Sequence, residues 1–189
     1  MDLKHIPNLI TFVRIVLLLP FIFFIWQGQY VAGFYVFILA GLSDAVDGFL
    51  ARYFGWLSWT GALVDPLADK LLMITSFILL AAVGQLPWVI VYLFVMRDVV
   101  IVAGAATYYY LFRDIEFQPT GLSKVNTFLQ IALATLLLHQ LAYESLASWF
   151  TSLTVWITLA VTLLSLLQYM WVWSLKARRQ WVNRLEKHG

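Results

Sequence analysis

Four aspartates within 26 residues, Asp44, Asp47, Asp65 and Asp69, are the side chains best placed to do chemistry. They stand in Asp-Ala-Val-Asp-Gly-Phe-Leu-Ala-Arg, then eight residues, then Gly-Ala-Leu-Val-Asp-Pro-Leu-Ala-Asp. Asp44 and Asp47 are three apart and Asp65 and Asp69 four apart, so on helices each pair shares one face. Four like charges this close repel, so several must take up protons or cations must lie between them. Carboxylate oxygens are hard ligands that suit Mg²⁺, Mn²⁺ or Ca²⁺. Two such ions can clamp both oxygens of a phosphoryl displacement. Gly48 and Ala51, and Gly61 on the facing segment, let a backbone or substrate approach closely. Arg52 suits a phosphate as a bidentate donor. Metal-dependent phosphoryl chemistry is the reading these residues favour; ion transport and an inter-helix polar network are the alternatives.

The elements that must position them are membrane helices. Of 189 residues, 62% are hydrophobic and 12% charged, where a soluble domain carries about 25% charged. The apolar runs reach the roughly 20 residues a bilayer crossing needs. Six spans are expected, at 8–26, 30–51, 62–84, 87–112, 124–142 and 148–174, giving an all-α integral membrane protein. Gln27-Gly28-Gln29 and Gly84-Gln85-Leu86-Pro87 separate spans, and Pro87 suits a helix start. Pro66 after Asp65 leaves a second option, with Asp65 as N-cap and the third helix starting later. The four aspartates then lie near one end of a hairpin of spans two and three, with Asp69 about 10 Å inside its helix.

Connections 27–29, 84–86 and 140–147 hold no Lys or Arg, whereas Arg52, Arg113, Lys124 and the tail lie on the other side. The positive-inside rule then makes both termini cytoplasmic. The expected organisation is one catalytic domain over 1–189, with 175–189 a basic cytoplasmic tail that reads as a stop-transfer anchor. The first apolar segment, interrupted by Arg14 and lacking a small-residue cleavage site, reads as a retained span. Without cysteine there is no thiolate nucleophile or disulfide framework, and nothing points to nucleic acid.

The pattern D-x2-D-G-x2-A-R-x8-G-x3-D-x3-D, complete from Asp44 to Asp69, resembles the signature of the CDP-alcohol phosphatidyltransferase family. The six-span plan is also similar, so the resemblance covers nearly the whole chain. It implies that Asp44, Asp47 and Asp65 hold metal at a CDP diphosphate. It implies too that Asp69 completes a second metal site and is the catalytic base on the acceptor hydroxyl. Gly48, Ala51, Arg52 and Gly61 resemble nucleotide-contacting positions, and Asn8 and Arg14 match a pattern beside the cytidine diphosphate. The reaction so implied is attack by an alcohol on the β-phosphorus of CDP-diacylglycerol with release of CMP, using two Mg²⁺ or Mn²⁺ ions. The family is usually homodimeric.

The acceptor is read from two further stretches. Arg97-Asp98 sits mid-span, where charge is expensive, and Lys124 opens span five. Both are candidates for binding an acceptor phosphate; the alternatives are local Arg97–Asp98 compensation and a snorkelling Lys124. Met96-Arg97-Asp98-Val and Pro119-Thr-x-x-Ser-Lys-Val-Asn-Thr look most like eukaryotic-type cardiolipin synthases, which implies phosphatidylglycerol as acceptor. Phosphatidylglycerophosphate synthases are similar relatives, but a second basic residue of theirs is Asn126 here, which argues against glycerol-3-phosphate. A cation-coupled transporter is the alternative of another class, against which stands the absence of an inverted repeat. The absence of a transit peptide favours a bacterial inner membrane over a mitochondrial one.

Overall fold

The computed structural model describes residues 6–54, 59–112 and 120–188, with side chains for 13–43, 68–104, 106, 107, 110 and 120–175. Among the described residues it is all-helical: α1 Ile6–Trp26, α2 Tyr30–Phe54, α3 Trp59–Ala82, α4 Trp88–Phe112, α5 Gly121–Tyr143 and α6 Ser148–His188. Long runs without interior glycine pairs favour helix, and punctuation ends each run. α1 and α3 stop in the same way. Gly28 (φ 74°) and Gly84 (φ 80°) take the left-handed conformation open to a residue without Cβ. Gln29 N–H then donates to Phe24 O and Gln85 N–H to Leu80 O, each at 2.8 Å, which closes the turn on an otherwise unpaired carbonyl. α5 ends on Glu144 at φ 48°, where a side chain bears that strain.

Two boundaries differ from the sequence expectation. α3 begins at Trp59, so Asp65 lies inside the helix rather than at its N-cap, and Asp69 lies about 15 Å along it. α6 runs on through the basic tail to His188, because Lys, Ala, Arg, Gln, Leu and Glu there are good helix formers and neither Gly nor Pro intervenes.

Short connections make successive helices antiparallel. α1 packs on α2 and α3, α5 on α2, α3 and α6, and α4 on α3 and α6. α1 and α2 meet closely at Gly33, where an added Cβ would lie 2.5 Å from Ile25 Cδ1. Phe21 and Phe37 follow, with ring centroids 5.8 Å apart. Phe77 and Phe94 join α3 to α4 edge to face at 5.0 Å. Between α5 and α6, Thr162 donates to Asn126 Oδ1 at 2.7 Å, and Thr120 N–H donates to Tyr169 Oη at 3.4 Å. The core is formed by Phe21, Ile25, Phe37, Leu80, Leu133 and Leu138.

Large apolar side chains also face outward, among them Leu19, Phe128, Trp156 and Trp171. α5 and the Ser148–Leu175 part of α6 are long and apolar enough to cross a membrane. Among the described residues, Val13–Trp26 and Tyr30–Ser43 are shorter apolar helices.

Candidate functional site

The site lies where α1, α2, α3, α4 and α5 converge around the half of α3 that holds Asp69. Arg14 of α1 is fully buried, and its Nη1 donates to Asp69 Oδ1. A buried guanidinium is tolerated only when paired, so this contact fixes where α1 and α3 cross. The Asp69 side chain remains 47% exposed and is thus both anchored and reachable.

A second charge network begins one residue on. Lys70 Nζ lies 2.5 Å from Asp98 Oδ2, and Arg97 Nη1 donates to Asp98 Oδ1 at 2.6 Å. The Arg97 Nη2 donates to Ser123 Oγ at 2.7 Å and to Ser165 Oγ at 2.9 Å. Arg97 therefore ties α4 to α5 and α6, and its carboxylate neighbour ties α4 to α3. The planar guanidinium can serve three partners at fixed angles, which an ammonium could not.

A cavity of about 450 Å³ opens beside these pairs. Its polar lining comprises Asp69, Lys70, Asp98, Thr127, Gln130 and Thr135. The rest is apolar, with Phe37, Ile38 and Leu42 on α2 facing Leu72 and Met73 on α3, and Ile131 on α5 between them. A chamber with charges near Asp69 and hydrocarbon elsewhere suits an amphiphile better than a small ion.

The structure brings Arg14 and Asp69 together and sets Asp98, expected only as a compensating partner, into the cavity wall. Arg97, expected to touch an acceptor, is 3% exposed and lies behind Asp98, with its terminal nitrogens taken. Lys124 is exposed on the first turn of α5, which Thr120 caps by accepting from Ser123 N–H, and does not line the cavity. Asn8, Asp44, Asp47, Gly48, Ala51, Arg52, Gly61 and Asp65 lie outside the described side chains. Their backbones are helical, so Asp44 and Asp47 share a face of α2, and Asp65 and Asp69 a face of α3. As a donor set, four carboxylates on two helices fit a hard divalent cation.

Lys70, Gln130 and Thr127 were not singled out from the sequence. Lys70 was visible only as the neighbour of Asp69. Gln130 and Asn126 carry a signal in retrospect: two amides four residues apart in an apolar helix share its buried face.

Comparisons with known proteins place the sequence among phospholipid-synthesising enzymes. The cardiolipin synthase (CMP-forming) of Rattus norvegicus is 34% identical over 148 residues, which is 68% of this chain and 48% of that protein. The CDP-diacylglycerol–glycerol-3-phosphate 3-phosphatidyltransferase of Bacillus subtilis (strain 168) is 30% identical over 187 residues, 87% of this chain and 93% of that protein. A probable phosphatidylglycerophosphate synthase of Mycobacterium tuberculosis (strain ATCC 25618 / H37Rv) is 32% identical over 102 residues, 51% of this chain and 49% of that protein. The chain thus spans about half the length of the rat cardiolipin synthase and nearly all of the Bacillus enzyme. Residues 4–174 match the CDP-alcohol phosphatidyltransferase profile from before α1 to near the end of the apolar part of α6, and the chain belongs to that family.

Proposed function

We propose that this protein transfers a phosphatidyl group from CDP-diacylglycerol to the hydroxyl of phosphatidylglycerol, giving cardiolipin and CMP. The observation that carries the reading is the cavity joining the Asp69 carboxylate to an apolar slot between α2, α3 and α5. The lining supports the lipid acceptor: beyond Asp69, Lys70 and Asp98 the cavity walls are neutral, with Phe37, Ile38, Leu42, Leu72, Met73 and Ile131 offering hydrocarbon that suits acyl chains.

In this reading Asp69 takes the proton from the acceptor hydroxyl, and Arg14 keeps its carboxylate at the cavity edge. The acceptor oxygen bonds to the β-phosphorus as the bond to the CMP oxygen breaks. Lys70 and Asp98 flank the acceptor headgroup, and the apolar walls hold it out of water. Asn8, Gly48, Ala51, Arg52 and Gly61 receive the nucleotide. Asp44, Asp47, Asp65 and Asp69 would hold two Mg²⁺ or Mn²⁺ ions, which when bound neutralise the diphosphate. Arg97 acts through Asp98, and Lys124 meets lipid phosphate at the surface.

The family is membrane-integral. In the proposed arrangement the six helices span a bacterial inner membrane as a homodimer, both termini and the aspartates being cytoplasmic, because Lys and Arg gather at that end. A second reading, glycerol-3-phosphate as acceptor, is favoured by the near end-to-end match to the Bacillus enzyme.

The test is CMP release by purified protein from CDP-diacylglycerol with Mg²⁺ or Mn²⁺, phosphatidylglycerol and glycerol-3-phosphate being offered separately. Chelator-sensitive release with phosphatidylglycerol alone supports the proposal. Release with glycerol-3-phosphate alone replaces it by the second reading. Folded protein that releases no CMP with either refutes both.

A further inference from the structure

α5 carries two side-chain amides on its inward face, Asn126 with no exposure and Gln130 at 6%. Asn126 Oδ1 accepts from Thr162, but among the described residues Asn126 Nδ2 and Gln130 Nε2 have no hydrogen-bond partner. Buried amide donors are nearly always met, by protein, water or a ligand. The two differ in position. Asn126 is locked into the α5–α6 seam, whereas Gln130 lines the cavity, one turn along from Thr127. Across the chamber stand Asp69 and Lys70.

We propose that Gln130 is a specificity residue whose side-chain amide, turned about its last bond, donates from Nε2 to a headgroup oxygen of a lipid-borne acceptor alcohol seated in this cavity. The proposal rests on the phosphatidyl-transfer reading above. A primary amide brings two N–H donors and no net charge. It meets an ester or phosphodiester oxygen without adding charge to the cavity. It shares its wall with Ile131, Leu72 and Phe37, so the amide stands beside the apolar lining that suits an acyl-bearing molecule. The nucleotide-bearing lipid is the less fitting occupant, since its diphosphate calls for clustered cations and Gln130 offers only neutral donors.

The test compares wild type with Gln130→Leu and Gly41→Leu. Gly41 also lines the cavity, and a Cβ there meets nothing within 4 Å, so leucine extends into open space at the wall. Two quantities are read: KM and kcat for phosphatidylglycerol and for CDP-diacylglycerol by CMP release, and the thermal unfolding midpoint by tryptophan fluorescence with and without phosphatidylglycerol. Gln130→Leu is expected to raise the KM for phosphatidylglycerol about 10-fold, the worth of one hydrogen bond to a charged group, and to leave that for CDP-diacylglycerol unchanged. Its lipid-free midpoint stays level or rises, because an unmet buried amide gives way to an alkyl group of similar shape. A purely structural glutamine would lower it. Both variants are expected to lose the stabilisation that phosphatidylglycerol gives wild type.

A wild-type KM for phosphatidylglycerol in Gln130→Leu, with transfer intact, overturns the inference and leaves the transfer reading standing. A rise confined to the KM for CDP-diacylglycerol overturns it by assigning the cavity to the donor lipid. Wild type that transfers nothing to phosphatidylglycerol, yet is stabilised by it through Gln130, overturns the transfer reading and keeps the site.

Discussion

Replacing Arg97 separates two roles that its mid-helix position left open. In Arg97→Ala three hydrogen bonds disappear: 2.6 Å to Asp98, 2.7 Å to Ser123 and 2.9 Å to Ser165. Asp98 keeps Lys70, so one charge partner survives. Ser123 and Ser165 lose a donor in places with 9% and no exposure. Breaking a buried charge pair costs about 3–5 kcal/mol. The surviving Lys70 contact puts Arg97→Ala toward the lower end, about 3 kcal/mol. For a chain of this size each kcal/mol moves the unfolding midpoint by about 2–4 °C, so a fall of roughly 6–12 °C is expected. Arg97→Lys keeps the charge but cannot hold both hydroxyls as well as the carboxylate, and it should fall about half as far. The nine tryptophans make intrinsic fluorescence a suitable probe. Combining Arg97→Ala with Ser165→Ala should give less than the sum of the two single losses, since they share a bond. An unchanged midpoint with a raised acceptor KM would refute the argument, and would return Arg97 to direct contact with the acceptor.

Three further outcomes follow from other parts of the molecule. Asp69→Asn should lower kcat by at least about 100-fold, as loss of a general base does, while helical content by circular dichroism persists; near wild-type turnover would remove Asp69 as base. Gly33→Ala should destabilise by about 1–3 kcal/mol, because the new Cβ falls 2.5 Å from the buried Ile25 Cδ1 and overpacks the α1–α2 crossing. Its effect belongs in the unfolding midpoint and not in either KM. Glu144→Gly should raise stability by up to about 1 kcal/mol, by relieving the left-handed backbone at the end of α5; a fall would mean that the glutamate side chain holds that turn.

Six helices were legible in the sequence because apolar runs, glycine turns and Pro87 leave little freedom in where helices start and stop. Where chemistry and not hydrophobicity marks the boundary, the reading slipped. Asp65-Pro66 left open a later start beside the span expected from 62, and α3 begins before both, at Trp59; the last span was expected over 148–174, and its helix continues through the charged tail. The carboxylate spacing pointed to metal-dependent chemistry through the periodicity of a single helix. Contacts such as Arg14–Asp69 and Lys70–Asp98 depend on how far one helix slides along another. No spacing within a single helix encodes that register, so Lys70 passed unnoticed and Arg97 was assigned to the acceptor instead of to Ser123 and Ser165.

The short turns at Gln27–Gln29, Val83–Pro87 and Glu144–Ala147 divide the chain into three hairpins, α1–α2, α3–α4 and α5–α6. Each closes over a short loop, at small entropic cost. The cavity takes Phe37 and Gly41 from the first hairpin, Asp69 and Asp98 from the second and Gln130 from the third. No two hairpins supply all of these walls. A chain cut between hairpins and co-expressed as fragments regains a complete chamber only once all three hairpins have docked, so recovered turnover in such split chains would time the last assembly step.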